Sequence, residues 1–266
     1  MSKKVMKTGN TKMKLALVQY SPVWEDKKTN IKKINSLFNS TNIDAEIIIF
    51  PEMTLTGFTM NSAKHAETLT DIGFSYFSDL ANNFKKDVFA GIIENDNGKF
   101  FNSLIHFTPD GTIKNIYRKI HPFSLTKEDK YFSAGEKIVI TEIGKIKIGL
   151  TICYDLRFPE LYRLYAKERV DVIINIANWP EQRIEHWKHL LKARAIENQC
   201  FIVGVNRVGK DEKLNNYTGF SGVYNPLGKE IVSIKNEEKI IQVKIDIDEV
   251  EKTRNKFGFL NDIKLI

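Results

Sequence analysis

The sequence predicts an α/β fold in which helices cover sheets, and three observations carry that prediction. Short runs rich in β-branched residues recur along the chain, each of strand length and bounded by Gly, Pro, Asn or Asp. Between some of these runs, apolar residues return at helical spacing. Between others lie hairpin and turn signals, so direct strand pairing mixes with strand–helix alternation.

The elements follow in order. Residues 15–19 (LALVQ) form the first strand run, and Ile31, Ile34, Leu37 and Phe38 then recur as a helix stripe after a cap near Thr29 or Asn30. The run 47–50 (IIIF) stops at Pro51, and Phe74, Phe77, Leu80, Ala81 and Phe84 form a second stripe before strands at 88–93 and 104–107. Asp110-Gly111 is a two-residue hairpin signal leading into 113–117. In 146–152, Ile146, Ile148 and Leu150 alternate with Lys147, Gly149 and Thr151. Pro159, suited to a first helical turn, then precedes a stripe of Leu161, Leu164 and Tyr165. After the run 172–176 come Ile184, Trp187, Leu190, Leu191 and Ile196 at helical spacing, and then strands at 201–205, 222–224 and 240–245, with a turn at Pro226-Leu227-Gly228.

Composition narrows the function. The chain is 42% hydrophobic and 27% charged, an ordinary globular balance, and no linker or composition shift divides it. One continuous domain over 13–266 is expected, after a basic flexible leader over 1–12. Cys153 and Cys200 are too few for a disulfide framework, and no secretory signal is visible, so a reducing, cytoplasmic compartment is expected. No run is long and apolar enough for a membrane span. The net charge of +7 comes from lysines interleaved with acids, the pattern of a solvated surface rather than of a nucleic-acid interface.

Cys153 stands where the alternating run ends and a helical pattern begins. A nucleophile at such a turn is exposed at a sheet edge, and helix-start N–H groups favour its thiolate. A small buried hydrophobe is the competing reading. A nucleophilic cysteine needs a base or a cation. Of the five histidines, His121 sits in a loop with other candidates, whereas His186 and His189 in EHWKH lack a third ligand, so no metal is expected. Glu52 ends the apolar run IIIFP, where burial suits a carboxylate to proton transfer. Lys119, just after 113–117 in YRKIHPF, is a cation able to hold an oxyanion.

With FPEMTLTGF around Glu52, YRKIHPF around Lys119 and GLTICYDLRFPELYR around Cys153, in that order, the chain resembles the nitrilase superfamily of carbon–nitrogen hydrolases from about Met13 onward. The resemblance implies a four-layer α-β-β-α sandwich, a homodimer, and a Glu–Lys–Cys triad needing no metal or organic cofactor. It implies Cys153 as nucleophile, Glu52 as general base and then acid, and Lys119 with the backbone N–H of Tyr154 as oxyanion donors. Glu128 in KEDKYFSAGE aligns with an additional glutamate beside the triad. The apolar tail residues Phe257, Phe259 and Leu260 suit a packing role across the dimer.

Tyr154 and Asp155 follow the cysteine where true nitrilases usually carry tryptophan and glutamate. The segment ANWPEQRIEHWKHLLKARAIENQCFIVGVNRVG looks most like omega-amidases, so the expected substrate is a small 2-oxo acid omega-amide, 2-oxoglutaramate or 2-oxosuccinamate, with water as co-substrate. Asn178 and Trp179 are expected to line the pocket, with core packing as the competing reading for Trp179. Arg183 and Arg207 are candidates for the substrate carboxylate, Arg194–Glu197 reads as a structural ion pair, and Arg157 and Glu160 read as supports of the cysteine turn. Alternatives are an amidase acting on deaminated glutathione, an N-carbamoyl amino acid hydrolase, or a scaffold that has lost the chemistry.

Overall fold

The computed structural model describes residues 12–265. Most of the expected leader lies outside the described residues, and Lys12, placed at its end, already belongs to a strand. The first half of the chain runs β1 (Lys12–Gln19), α1 (Lys27–Asn39), β2 (Ile47–Ile49), α2 (Ser62–His65), α3 (Ile72–Phe84), β3 (Asp87–Asp96), β4 (Lys99–Phe107), β5 (Ile113–Arg118) and α4 (Glu128–Tyr131). The second half runs β6 (Ile140–Ile143), β7 (Ile146–Ile152), α5 (Pro159–Lys167), β8 (Val172–Ala177), α6 (Ile184–Asn198), β9 (Phe201–Asn206), β10 (Val208–Lys210), β11 (Asn216–Tyr224), β12 (Glu230–Lys235), β13 (Lys239–Asp246) and α7 (Asp248–Lys256). One sheet has the order β13-β1-β2-β3-β4-β5, the other β10-β11-β9-β8-β7-β6 with β12 paired to β11.

Strand parity explains the layers. Leu15 and Leu17 of β1, Ile47 and Ile49 of β2, and Ile148, Leu150 and Ile152 of β7 point into one core between the sheets. Their neighbours Ala16, Val18, Ile48 and Phe50 point the other way, against Ile34 and Phe38 of α1 and Phe74 and Phe77 of α3. On the second sheet, Ile173 and Ile202 face Tyr162 and Tyr165 of α5 and Trp187 and Leu191 of α6. Sheets apolar on both faces need a cover on each outer side, so the order is α-β-β-α, as the resemblance implied. Each fully buried large side chain contributes about 1.5–3 kcal/mol relative to exposure.

Local details differ from the sequence reading in three places. The cap of α1 is Asp26, whose side chain accepts from the Thr29 N–H at 3.0 Å, so the helix begins a turn earlier than the apolar stripe suggested. The β4–β5 connection is longer than two residues: Phe107 pairs with Ile113, and Gly111 takes φ +86° inside a loop closed by Thr108 N–H to Thr112 C=O at 2.8 Å. In the tail, Leu260 is buried within the chain, while Phe259 is exposed and stacks on Phe257 at 5.5 Å.

The parallel pairs β1–β2–β3 and β7–β8–β9 carry their C-terminal ends to a common rim, where α/β folds bind ligands. Gly91 of β3 lets the segment after β2 sit directly on the sheet. A Cβ there would stand 2.6 Å from the Met53 nitrogen and 2.7 Å from the Pro51 carbonyl oxygen.

Candidate active site

Glu52, Lys119, Glu128 and Cys153 come from four separate elements, and the rim brings them together. Glu52 follows β2, Lys119 follows β5, Glu128 opens α4, and Cys153 follows β7. Lys119 Nζ donates to Glu52 Oε1 at 2.9 Å and to Glu128 Oε2 at 2.9 Å, and all three side chains are buried. The remaining Glu52 oxygen, Oε2, accepts the Asn178 backbone N–H at 2.8 Å. Phe123 N–H donates to Glu128 Oε2 at 2.6 Å, fixing the second carboxylate.

Charge in this dry cluster is unevenly held. Burial works against the Lys119 ammonium, but Glu128 and Glu52 more than offset it and hold the group above the ordinary lysine range. Glu128 is raised by burial, with Lys119 pulling against that and the Glu52 charge adding to it. The Cys153 thiol is pushed well above the usual cysteine range, first by burial and then by the Glu52 charge, with Lys119 opposing. This departs from the expectation that helix-start N–H groups favour the thiolate.

Cys153 has φ +47°, in the left-handed region that a non-glycine residue occupies only when its surroundings enforce it. Asp155 supplies much of that enforcement. Its buried carboxylate accepts from Ile152 N–H at 2.9 Å and Tyr117 O–H at 2.7 Å, and from His121 N–H at 3.1 Å. It therefore ties the end of β7 to the segment that carries Lys119. His121 also contacts Asp155 through Nδ1 at 2.8 Å and stacks on Phe158 at 3.8 Å, so it serves this clasp and is not the partner of the thiol. Asp155→Ala leaves several inward donors without an acceptor, at about 1–3 kcal/mol for each buried one. A melting temperature lowered by several degrees is expected, and an unchanged melting curve would contradict the clasp.

Cys153 opens into a pocket of about 840 Å³. Asn178 and Trp179 are among its lining residues. Trp179 also packs: its Nε1–H donates to the Arg183 carbonyl at 2.7 Å and its ring lies 5.5 Å from Trp187. Arg183 lines the pocket with its guanidinium 5.4 Å from the Phe123 ring centre. Arg207 does not line it. That side chain is fully buried and donates to the Val208 and Lys210 carbonyls at 3.2 and 2.7 Å. Arg157 also departs from expectation, because it faces the pocket over Trp179 at 4.8 Å instead of bracing the turn. The brace is Arg194, which donates to the Leu156 carbonyl at 2.8 Å as well as pairing with Glu197 at 3.0 Å.

Two further residues were not singled out from the sequence. Asn102, in KFFNSLIHF, donates from Nδ2 to Glu52 Oε1 at 2.7 Å and to Glu128 Oε1 at 2.8 Å. Asn206 exchanges hydrogen bonds with the Trp179 backbone at 2.8 and 2.9 Å, holding the pocket wall. A polar residue inside an otherwise apolar strand was the available signal for both. Among the described residues, no group of three or more His, Cys, Asp or Glu is arranged to hold a metal ion, and no helix is long and apolar enough to cross a membrane.

The carbon–nitrogen hydrolase family model matches residues 14–255. The chain belongs to the carbon–nitrogen hydrolase family. It is therefore a hydrolase of carbon–nitrogen bonds within the nitrilase superfamily. It is 33% identical to a protein named hydrolase in agr operon from Staphylococcus aureus, covering 95% of this chain and 98% of that one. It is 32% identical to the 2-oxoglutaramate amidase of Bacillus subtilis, again over 95% and 98% of the two chains. Among solved structures, a CN-hydrolase superfamily protein of Xanthomonas campestris with an arsenic adduct in its active site superposes with a TM-score of 0.91 at 30% identity. That match covers 96% of this chain and 98% of the other.

Proposed function

We propose that this hydrolase is an omega-amidase that converts 2-oxoglutaramate, or the shorter 2-oxosuccinamate, and water to the dicarboxylate and ammonia. The observation that carries the reading is the pair of arginines on the pocket wall beside the thiol. Arg157 and Arg183 lie close enough that the Arg183 charge, after burial, lowers Arg157 below the ordinary guanidinium range. Each guanidinium can receive a carboxylate through paired N–H donors. A substrate with a carboxylate at one end and an amide at the other suits these donors while presenting its amide carbon to Cys153. The similarity to a 2-oxoglutaramate amidase supports the same substrate class.

The chemistry follows in two halves. Glu52 takes the thiol proton as sulfur attacks the amide carbon, and the carbonyl electron pair moves onto oxygen, met by Lys119 and the Tyr154 backbone N–H. Glu52 returns the proton to nitrogen, ammonia leaves, and a thioester remains. Water, deprotonated by Glu52, then attacks the thioester and the thiol is regenerated. Glu128 holds Lys119 from behind. Neither a metal nor an organic cofactor enters any step.

Ammonia release tests the reading. Arg157→Met is expected to raise KM for 2-oxoglutaramate about tenfold to a hundredfold, the worth of a charged hydrogen bond, and to leave hydrolysis of butyramide, which has no carboxylate, within about threefold. Equal losses on both amides, or no preference of the wild type for the oxo-amide, would contradict it. The pocket volume favours a second reading, a longer carboxylate-bearing amide such as deaminated glutathione or an N-carbamoyl amino acid, and relative kcat/KM values across the three classes separate these. The homodimer and cytoplasmic location belong to the same reading, with exposed Phe259 suited to a subunit contact.

A further inference from the structure

Asn102 occupies a position that the proposed chemistry has not yet used. It lies on β4 with its side chain 1% exposed, at the centre of the buried cluster. Its backbone carbonyl accepts the Lys119 backbone N–H at 2.9 Å. Its Nδ2 donates to Glu52 Oε1 at 2.7 Å and to Glu128 Oε1 at 2.8 Å. One residue thus locates the lysine main chain and both carboxylates.

The two oxygens of Glu52 are not equivalent as a result. Oε1 accepts from Lys119 at 2.9 Å and from Asn102 at 2.7 Å, which fills its two lone-pair directions. An amide NH2 does not surrender its proton, and the neighbouring ammonium is stabilised in its charged form, so both donors are permanent. Oε2 accepts the Asn178 backbone N–H at 2.8 Å, with the Asn178 side chain more distant at 3.3 Å. Each oxygen thus has two donors, but one of those on Oε2 is long, so a proton from the thiol displaces a weaker hydrogen bond on Oε2 than on Oε1. The amide orientation is equally constrained, because a flip would set Asn102 Oδ1 against two carboxylates. In the observed orientation Oδ1 is buried without a partner, a cost this site tolerates.

We propose that Asn102 is a positioning residue that occupies Oε1 of Glu52, directing the transferred proton to Oε2, and that its second N–H keeps Glu128 from serving as the acceptor. In the step itself the Cys153 S–H bond breaks, the proton passes to Oε2, the S–C bond forms and the carbonyl pair moves to oxygen. This rests on the reading of Glu52 as general base. The titratable groups of the cluster are Glu52 after β2, Lys119 after β5, Glu128 from α4 and Cys153 after β7, with Arg157 and Tyr217 of β11 facing Cys153 from the pocket, and Asn102 is its uncharged donor.

The test is the rate of Cys153 alkylation by iodoacetamide from pH 4 to pH 9, which needs removal of the same proton and no knowledge of the substrate, measured for wild type, Asn102→Leu, Asn102→Ser and Glu52→Gln. The acceptor loses a donor that favours its charged form, so the acid limb is expected to move to higher pH in Asn102→Leu. Asn102→Ser, which retains one donor, should fall between. Ammonia release from 2-oxoglutaramate should lose kcat roughly tenfold to a hundredfold with KM nearly unchanged. If Asn102→Leu does not fold, the Asn102→Ser profile decides. A folded variant with lower rates but an unmoved acid limb overturns the proposal and makes Asn102 merely structural. An acid limb that persists unchanged in Glu52→Gln would instead refute the base assignment beneath it.

Discussion

Replacing Cys153 by alanine is expected to abolish ammonia release from every amide while leaving the melting temperature close to that of the wild type. Cys153 is half-buried at the floor of the pocket, contributes little volume to the core, and is the reacting atom of the proposed thioester. Without sulfur there is no covalent path, and the remaining donors can only polarise a bound amide. Residual catalysis of this kind is typically on the order of a million times slower than the complete constellation. The second cysteine provides an internal control. Cys200 is fully buried, with its thiol pushed up to about 12 chiefly by burial. Because Cys200 is sealed in the core whereas Cys153 opens into the pocket, iodoacetamide should label wild type once, at Cys153, and the alanine variant not at all under native conditions.

Glu52→Gln has the second large effect, and its two readouts move in opposite directions. Glutamine preserves the volume but turns one acceptor into an amide, facing donors at 2.7 Å from Asn102, 2.9 Å from Lys119 and 2.8 Å from Asn178. Loss of a general acid–base group is expected to lower kcat by roughly 10²–10⁴-fold. The thiol responds differently. Glu52 is one of the charges that raise Cys153 and Lys119 is the charge that lowers it, so removing Glu52 makes the thiol more acidic. The alkaline limb of the alkylation profile should move to lower pH even as turnover collapses. A variant that loses turnover with a less acidic thiol would indicate that Glu52 acts by sustaining the thiolate instead of by moving a proton.

Much of this arrangement was legible in the sequence because strand ends are. IIIFPE, IYRK and GLTIC each place a chemically capable residue immediately after a β-branched run, and the sheet topology then gathers those ends on one rim. The sandwich core was legible for the same reason, since alternation in β7 assigns Ile148 and Leu150 to one face and Gly149 and Thr151 to the other. The segments that escaped carry weak signals. Strand β12 (EIVSIK) is largely exposed, β10 has three residues, and α7 (DEVEKTRNK) buries only Val250 and Thr253, so neither run length nor apolar period marks them.

The cations show where one-dimensional reasoning stops. Arg157, Arg183, Arg194 and Arg207 look alike in the sequence, yet two face the pocket, one braces the cysteine turn and one is sealed behind Tyr217. Which way a side chain points from a loop or helix is set by packing partners from distant strands, and no local period records it. Asn102 was hidden for the converse reason. Its strand was recognised in part, but a polar residue facing inward gains meaning only when two carboxylates arrive from β2 and α4.

Mass spectrometry of the peptide carrying Cys153, after acid quenching of wild-type protein in its first turnover of 2-oxoglutaramate, addresses the central claim most directly. The account predicts a 2-oxoglutaryl thioester on Cys153 that forms as ammonia appears and decays as 2-oxoglutarate appears. An adduct on any other residue, or first-turnover ammonia release by Cys153→Ala, would contradict it.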